Sequence, residues 1–460
     1  TAQVVAGIVK YPRDNPFYIY HVKVWTVLNQ IGALALYSGM TEKTLSIITS
    51  GLMGMLSFQA LSLFVFSLCK NVPVSLATPF FMQFTQVMDF GVNYPVQLVG
   101  FPYTYGVVGL TFTILVIALF NLKRYKSGGL CLGLIPTIHP MMGVFLSMSL
   151  LVVLFWDFKR MREPFFQALK YFLIGCAISG ISLAAHMLIT YDVPKIDPET
   201  EGKYIGIVVR YWDAHRMPVN FVSVNFYLCV LSSIISFCVL RFGGERVPEN
   251  FLLPLRIFVI TGIVGGFACA MSHVPPEMLP PRIIRIMPTR ILGINIIALI
   301  PLLVGIAVYY KEDVVHQINL FVFLVILALI LTLHPLYWGR ILMFVITLSA
   351  IIAISRIASI NQLTRIRIKP SYSMIGTLAL LALIMTAEAV KAGSSVHRNN
   401  MYDWRDDSMF AKIHEGKGVL LIGPHIIGFM QMHGGRPIFP GLMFVGLPYV
   451  PEAGPMMDES

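Results

Sequence analysis

The sequence predicts an all-α polytopic membrane protein of about 11–12 membrane helices, with a broken helical hairpin among them and a small extracytoplasmic α/β appendage at the C-terminal end. Three observations carry this. The chain is 56% hydrophobic and only 12% charged, whereas a soluble domain carries about 25% charged residues. Apolar runs of about 20 residues, long enough to cross a bilayer as helices, recur along it. Lys and Arg gather in alternate loops, as they do on the cytoplasmic side of membrane proteins. The apolar runs are continuous rather than alternating, which excludes a β-barrel.

Residues 1–43 read as a first outer loop. Its polar, aromatic start, "KYPRDNPFYIYHVKVW", leads into a short amphipathic stretch at 25–39, expected to lie in the interface rather than across the bilayer. Membrane helices are expected at 44–69, 73–88, 103–122, 128–156, 166–190, 221–240, 251–271, 291–310, 316–333, 341–357 and 372–391. The run 128–156 is interrupted by "LIPTIHPMMG", where Pro136 and Pro140 each remove a backbone donor. A helix is expected to break there and fold into a hairpin that enters and leaves on one side. The transmembrane domain thus spans 44–391, and 392–460 is a polar segment with a β-like run, "KGVLLIGP". The chain begins at Thr1 without a signal-peptide pattern, so a preceding helix is expected.

The net charge of +11 is distributed by loop. Basic loops at 121–128, 158–164, 241–248, 309–313 and 355–370 are assigned to the cytoplasm. The loops at 1–43, 89–102, 191–220, 272–290 and 334–340, with the tail, then face outward. Cys69, Cys131, Cys176, Cys229, Cys238 and Cys269 lie in or beside apolar runs and form no CxxC, so they read as small core residues.

The outer loops hold the unusual polar residues. Arg210, Arg216, Arg282, Arg285, Arg290 and Arg340 lie on the side expected to be poor in positive charge, and Arg216, Arg282, Arg285 and Arg290 are the candidate phosphate ligands. A guanidinium holds a phosphate through two parallel hydrogen bonds, so this set suits a lipid-linked phosphate. The plainer alternative is that each Arg snorkels from a helix end or pairs with Asp213 or Glu277. Asp14, between Pro12 and Pro16, suits a general base, and equally suits a turn. In "YWDAHRMP", Asp213 either orients His215 or pairs with Arg216, and His215 is a candidate catalytic group. His139 sits at the hairpin break, and Tyr103, Tyr105 and Trp212 could stack on sugar faces. No metal motif occurs; Asp14, His21, Asp213 and His215 could meet a divalent cation only through tertiary structure. Walker, GxSxG and SxxK motifs are absent, which leaves ATP-driven transport and common serine chemistry unsupported.

These motifs carry a resemblance. A first outer loop with an acid, "YPRDNPFYIYH", followed by many helices and an extracytoplasmic end, resembles the integral-membrane glycosyltransferases of the C-type fold. "GLIPTIHPMMGVF", "YWDAHRMPVNF", "IMPTRILGIN" and the tail "MQMHGGRPIFPGLMFVGLPYVPEAGP" look like an uncharacterised bacterial membrane family of this kind. The first loop departs from the family in having one acid followed by Asn15 rather than paired acids. The resemblance implies transfer of a sugar from a polyprenyl-phosphate-linked donor to a glycan, lipid or protein acceptor at the outer face of the bacterial inner membrane. It implies Asp14 as base, and no nucleic-acid partner. Two rivals stand beside it: a non-catalytic subunit working with partner subunits in a membrane complex, and a transporter or flippase for a lipid-linked glycan. The latter should show internal repeats, and none is evident.

Overall fold

The computed structural model describes residues 1–11, 16–72, 74–76, 78–79, 103–191, 197–211, 216, 218–243, 247–309, 382–383, 385–387, 389–391, 393–394, 408–416 and 420. Among these the regular structure is helical, with no strand and one isolated bridge residue, Leu420. In chain order the helices are α1 Ala2–Val5, α2 Pro16–Lys23, α3 Val27–Tyr37, α4 Glu42–Cys69, α5 Tyr105–Asn121, α6 Tyr125–Ile138 and α7 Pro140–Trp156. They continue with α8 Phe158–Ile189, α9 Pro198–Tyr211, α10 Val224–Phe242, α11 Glu249–Met271, α12 Pro281–Ile286, α13 Leu292–Tyr309 and α14 Ser408–Glu415.

Four stretches are long and apolar enough to cross a membrane: Glu42–Cys69, Phe158–Ile189, Glu249–Met271 and Pro281–Ile306. This is a membrane protein. Shorter apolar helices accompany them, including α5 and α7. The expected helices at 316–333 and 341–357 lie outside the described residues, as do most of those at 73–88 and 372–391. The α/β character expected of the tail is not found. Its described part is the short helix α14, and most of "KGVLLIGP" lies outside the described residues.

Sequence and geometry agree closely at the hairpin. His139 is extended, at φ −147 and ψ 94, between α6 and α7. The ring of Pro140 clashes with an α-helical residue before it, and Pro140 itself fits the first helical position. Pro136, also expected to break the helix, is accommodated inside α6.

The core is built by α4, α5, α11 and α13. Leu61, Phe64, Ile114, Ile117, Phe258 and Leu302 are fully buried in one cluster, with the rings of Phe64 and Phe258 edge to face. Polar side chains in these apolar helices bond across to neighbours. Ser57 meets Thr111 at 2.9 Å, and Asn295 donates to the Phe258 carbonyl and bonds Thr261. Such pairs are worth about 0.6–2 kcal/mol each in a membrane. Helices α6 and α8 pack closest. A side chain at Gly133 or Gly175 would run into the partner backbone, and Ser179 donates to the Gly133 carbonyl at 2.6 Å. Small residues at this spacing let backbones approach.

The bundle has two distinct ends. The loops after α4 and α5, the start of α8 and the start of α11 meet at one end, tied by the ion pairs Lys123–Glu249 and Arg256–Asp157. This is the end bearing the basic loops. At the other end the link before α3, the start of α5, the hairpin break and the 281–290 segment meet.

Candidate anion site

The second end encloses a cavity of about 420 Å³. Four sequence elements supply its wall. The exit of α2 brings Tyr20, Lys23 and Trp25, and the first turn of α5 brings Thr104 and Tyr105. The hairpin break brings His139 and Met141, and α12 with its following turn brings Arg285, Met287 and Arg290. Lys23, Arg285 and Arg290 give the wall three cations, and among its described lining residues there is no carboxylate. The N-termini of α5 and α7, each 17 residues long, both open onto it. A helix N-terminus carries partial positive charge and backbone N–H groups, which favour an anion.

Each functional side chain is held from behind. Arg290 Nη1 lies 3.4 Å from His139 Nε2. A guanidinium only donates, so the Nε2 of His139 accepts and its proton sits on Nδ1. Nδ1 is buried and has no hydrogen-bond partner among the described residues. A neutral ring is what the geometry needs, because a protonated imidazole would set its Nε2–H against the Arg290 guanidinium. His139 fits against α5 because residue 109 is glycine: a Cβ there would lie 2.7 Å from the His139 Cβ. The Arg285 guanidinium forms an ion pair with Glu201 of α9. The Tyr105 hydroxyl donates to Asn29 Oδ1 at 2.6 Å, and the Trp25 indole N–H donates to Ser182 Oγ at 3.1 Å.

The structure thus brings His139, Tyr105, Arg285 and Arg290 together, and separates others. Arg216 lines a second, smaller and mostly apolar cavity of about 60 Å³, with Ser272 and Thr289, on the other side of the 281–289 segment. Its Nε donates to the Ile284 carbonyl at 3.0 Å, so it braces α12 from behind. Met287, in left-handed backbone at φ 43, lines both cavities. Arg282 is exposed and lines neither cavity, and Tyr103 packs against the main core cluster. Asp14, Trp212, Asp213 and His215 lie outside the described residues. Among the described residues no group of three His, Cys, Asp or Glu is placed to hold a metal.

Three wall residues escape a reading of the sequence: Tyr20, Lys23 and Trp25. The available signal was a lysine between two aromatics in an outward loop, in "YIYHVKVW". Glu201 also went unread. It falls in a stretch expected to be loop, where Asp197 instead caps α9 by accepting from the N–H groups of Glu199 and Thr200.

Comparison with protein-family models, with curated proteins and with solved structures finds no match to the chain.

Proposed function

We propose that this chain is a membrane glycosyltransferase that takes its sugar from a polyprenyl-phosphate-linked donor and works at the outer face of the bacterial inner membrane. One observation carries the reading: a cavity at the end opposite the basic loops is walled by Lys23, Arg285, Arg290 and two helix N-termini. In sugar transfer the acceptor oxygen bonds to the anomeric carbon as the bond to the donor phosphate breaks. The phosphate leaves with added negative charge, and cations already in place stabilise that charge without reorganising. Tyr20, Trp25 and Tyr105 give the same wall aromatic faces for a sugar.

Asp14 is the proposed base, taking the acceptor hydroxyl proton. It stands two residues before Pro16, where α2 begins, and the C-terminal end of α2 delivers Tyr20 and Lys23 to the cavity. Neutral His139 holds Arg290 in place. Arg216 acts as a positioning residue through Ile284. A non-catalytic subunit has no need of cations around a cavity, so Lys23 and Arg290 on this wall, beside the Glu201-paired Arg285, favour the enzyme reading over that rival.

The test uses the protein in lipid nanodiscs with a polyprenyl phosphate and, as control, the matching polyprenol. Preferential binding of the phosphate, lost in Arg290→Ala, is expected. With a polyprenyl-phosphate-linked sugar and a cell-envelope extract as acceptor, the wild type should release polyprenyl phosphate. Asp14→Asn should bind the donor but release none. Equal binding of phosphate and alcohol would overturn the proposal.

A further inference from the structure

The opposite, basic end carries a second polar cavity, of about 570 Å³, that the proposed chemistry does not use. Its floor is apolar, from Phe120, Leu122, Leu252 and Leu253, and its cations are Lys70, Lys123, Arg160 and Arg256. Two carboxylates offset these: Glu249 pairs with Lys123 at 3.3 Å and Asp157 with Arg256 at 2.7 Å. Among the described residues the balance is two positive charges, with Lys70 and Arg160 having no carboxylate against them.

The backbone gives an independent sign. Three non-glycine residues among those described have positive φ, and two are Lys70 (φ 53) and Lys123 (φ 59), both on this groove. Each closes a membrane helix. After α5, the Lys123 N–H bonds to the Phe120 carbonyl and the Arg124 N–H to the Leu119 carbonyl. This is the Schellman ending, whose left-handed position glycine normally fills because a side chain there is strained. Lysine at both positions keeps an unfavourable backbone in return for an ammonium at the groove. Strain of this kind collects at binding sites. The lysines are also firmly placed. Asn121 Nδ2 donates to Ser67 Oγ at 2.8 Å and to the Asn250 carbonyl at 2.7 Å, and Asn250 in turn donates to the Leu68 carbonyl.

The level of the groove identifies the source of its ligand. It lies where three apolar helices end, beside exposed Trp156 and Phe158, and the Arg256 guanidinium stacks over the Trp156 ring at 6.0 Å. Exposed aromatics at helix ends mark the membrane–water boundary. Basic pockets between helix ends at that depth take anionic headgroups. We propose that this groove binds the phosphate of an anionic membrane lipid, held by Lys70 and Arg160, the cations with no carboxylate against them, and by Lys123, which exchanges Glu249 for the phosphate. The proposal stands independently of the glycosyltransferase reading.

The test exploits the left-handed backbone. Lys70→Gly/Lys123→Gly removes two charges while relieving the strain, so the lipid-free protein in detergent should unfold at the same temperature or higher. Its affinity for phosphatidylglycerol, counted by native mass spectrometry and by thermal shift, should fall about tenfold or more. Lys126→Gln/Lys159→Gln removes the same charge outside the groove and should bind as wild type does. Inorganic phosphate at millimolar concentration should neither stabilise the protein nor displace the lipid. Four results would each overturn the proposal: unchanged binding in the glycine variant, equal loss in both variants, protection by inorganic phosphate, or a less stable lipid-free glycine variant.

Discussion

Arg290 Nη1 faces His139 Nε2 at 3.4 Å, so a cation and an imidazole that must stay neutral share one wall of the cavity. Protonating His139 would set two positive charges together in a partly buried place. His139→Gln keeps an acceptor for the Arg290 guanidinium, whereas His139→Leu takes it away. The Gln variant is expected to stay within about 1 kcal/mol of the wild type and the Leu variant to lose about 1–3 kcal/mol. Denaturant unfolding of both variants checks this, and an equal loss would refute the assignment.

Gly109 should behave against the helix scale. Alanine normally gains about 1 kcal/mol over glycine inside a helix. Here the added Cβ meets the His139 Cβ, so Gly109→Ala is expected to lose about 1–3 kcal/mol. Removing the His139 Cβ with His139→Gly should recover part of that loss. Denaturant unfolding of the two single variants and the double variant reads the coupling directly.

The Arg285–Glu201 pair holds α12 to α9, with side-chain exposures of 31% and 20%. That environment lies between an exposed pair and a buried one. A double-mutant cycle with Arg285→Gln and Glu201→Gln is expected to give a coupling of about 1 kcal/mol. Glu201→Gln alone should leave the cavity more positive and tighten binding of a polyprenyl phosphate. Weaker binding would mean that Glu201 matters mainly by placing Arg285.

Lys23 tests the charge of the wall apart from the arginines. Lys23→Gln is expected to weaken polyprenyl phosphate binding about tenfold, in line with one charge-assisted hydrogen bond. Arg282→Gln, at an exposed residue that lines neither cavity, should leave it unchanged. Titration in nanodiscs separates the two, and an equal effect would point to a diffuse field.

What could be read in the sequence depended on how local its cause was. The break before Pro140 is a steric rule between adjacent residues, so it was legible, with His139 as the extended residue at the break. Arg285 and Arg290 drew notice because a basic residue in a loop expected to face outward needs a reason, and both line the cavity at the hairpin break. Arg216 raised the same question, but its answer is the Ile284 carbonyl, 68 residues away, which no pattern announces. Helix α9 was hidden because its first turn carries Glu199 and Glu201 and its apolar content is low. Pro136 was misread as a break because a proline late in α6 can be absorbed when neighbouring helices support the freed carbonyl.

The hairpin also sets a depth. With 14 and 17 residues, its arms are about 21 and 25 Å long, short of a hydrocarbon layer of about 30 Å. On the orientation proposed above, arms of that length would bring His139 several ångströms short of the far boundary rather than level with it. Lipid and water must adjust around such a shortfall, by local thinning or by a wet recess. A polyprenyl phosphate lying in the leaflet would then meet the arginines at its own level. The water-soluble reactant would have to descend to the lipid, and the lipid would never need to leave the bilayer.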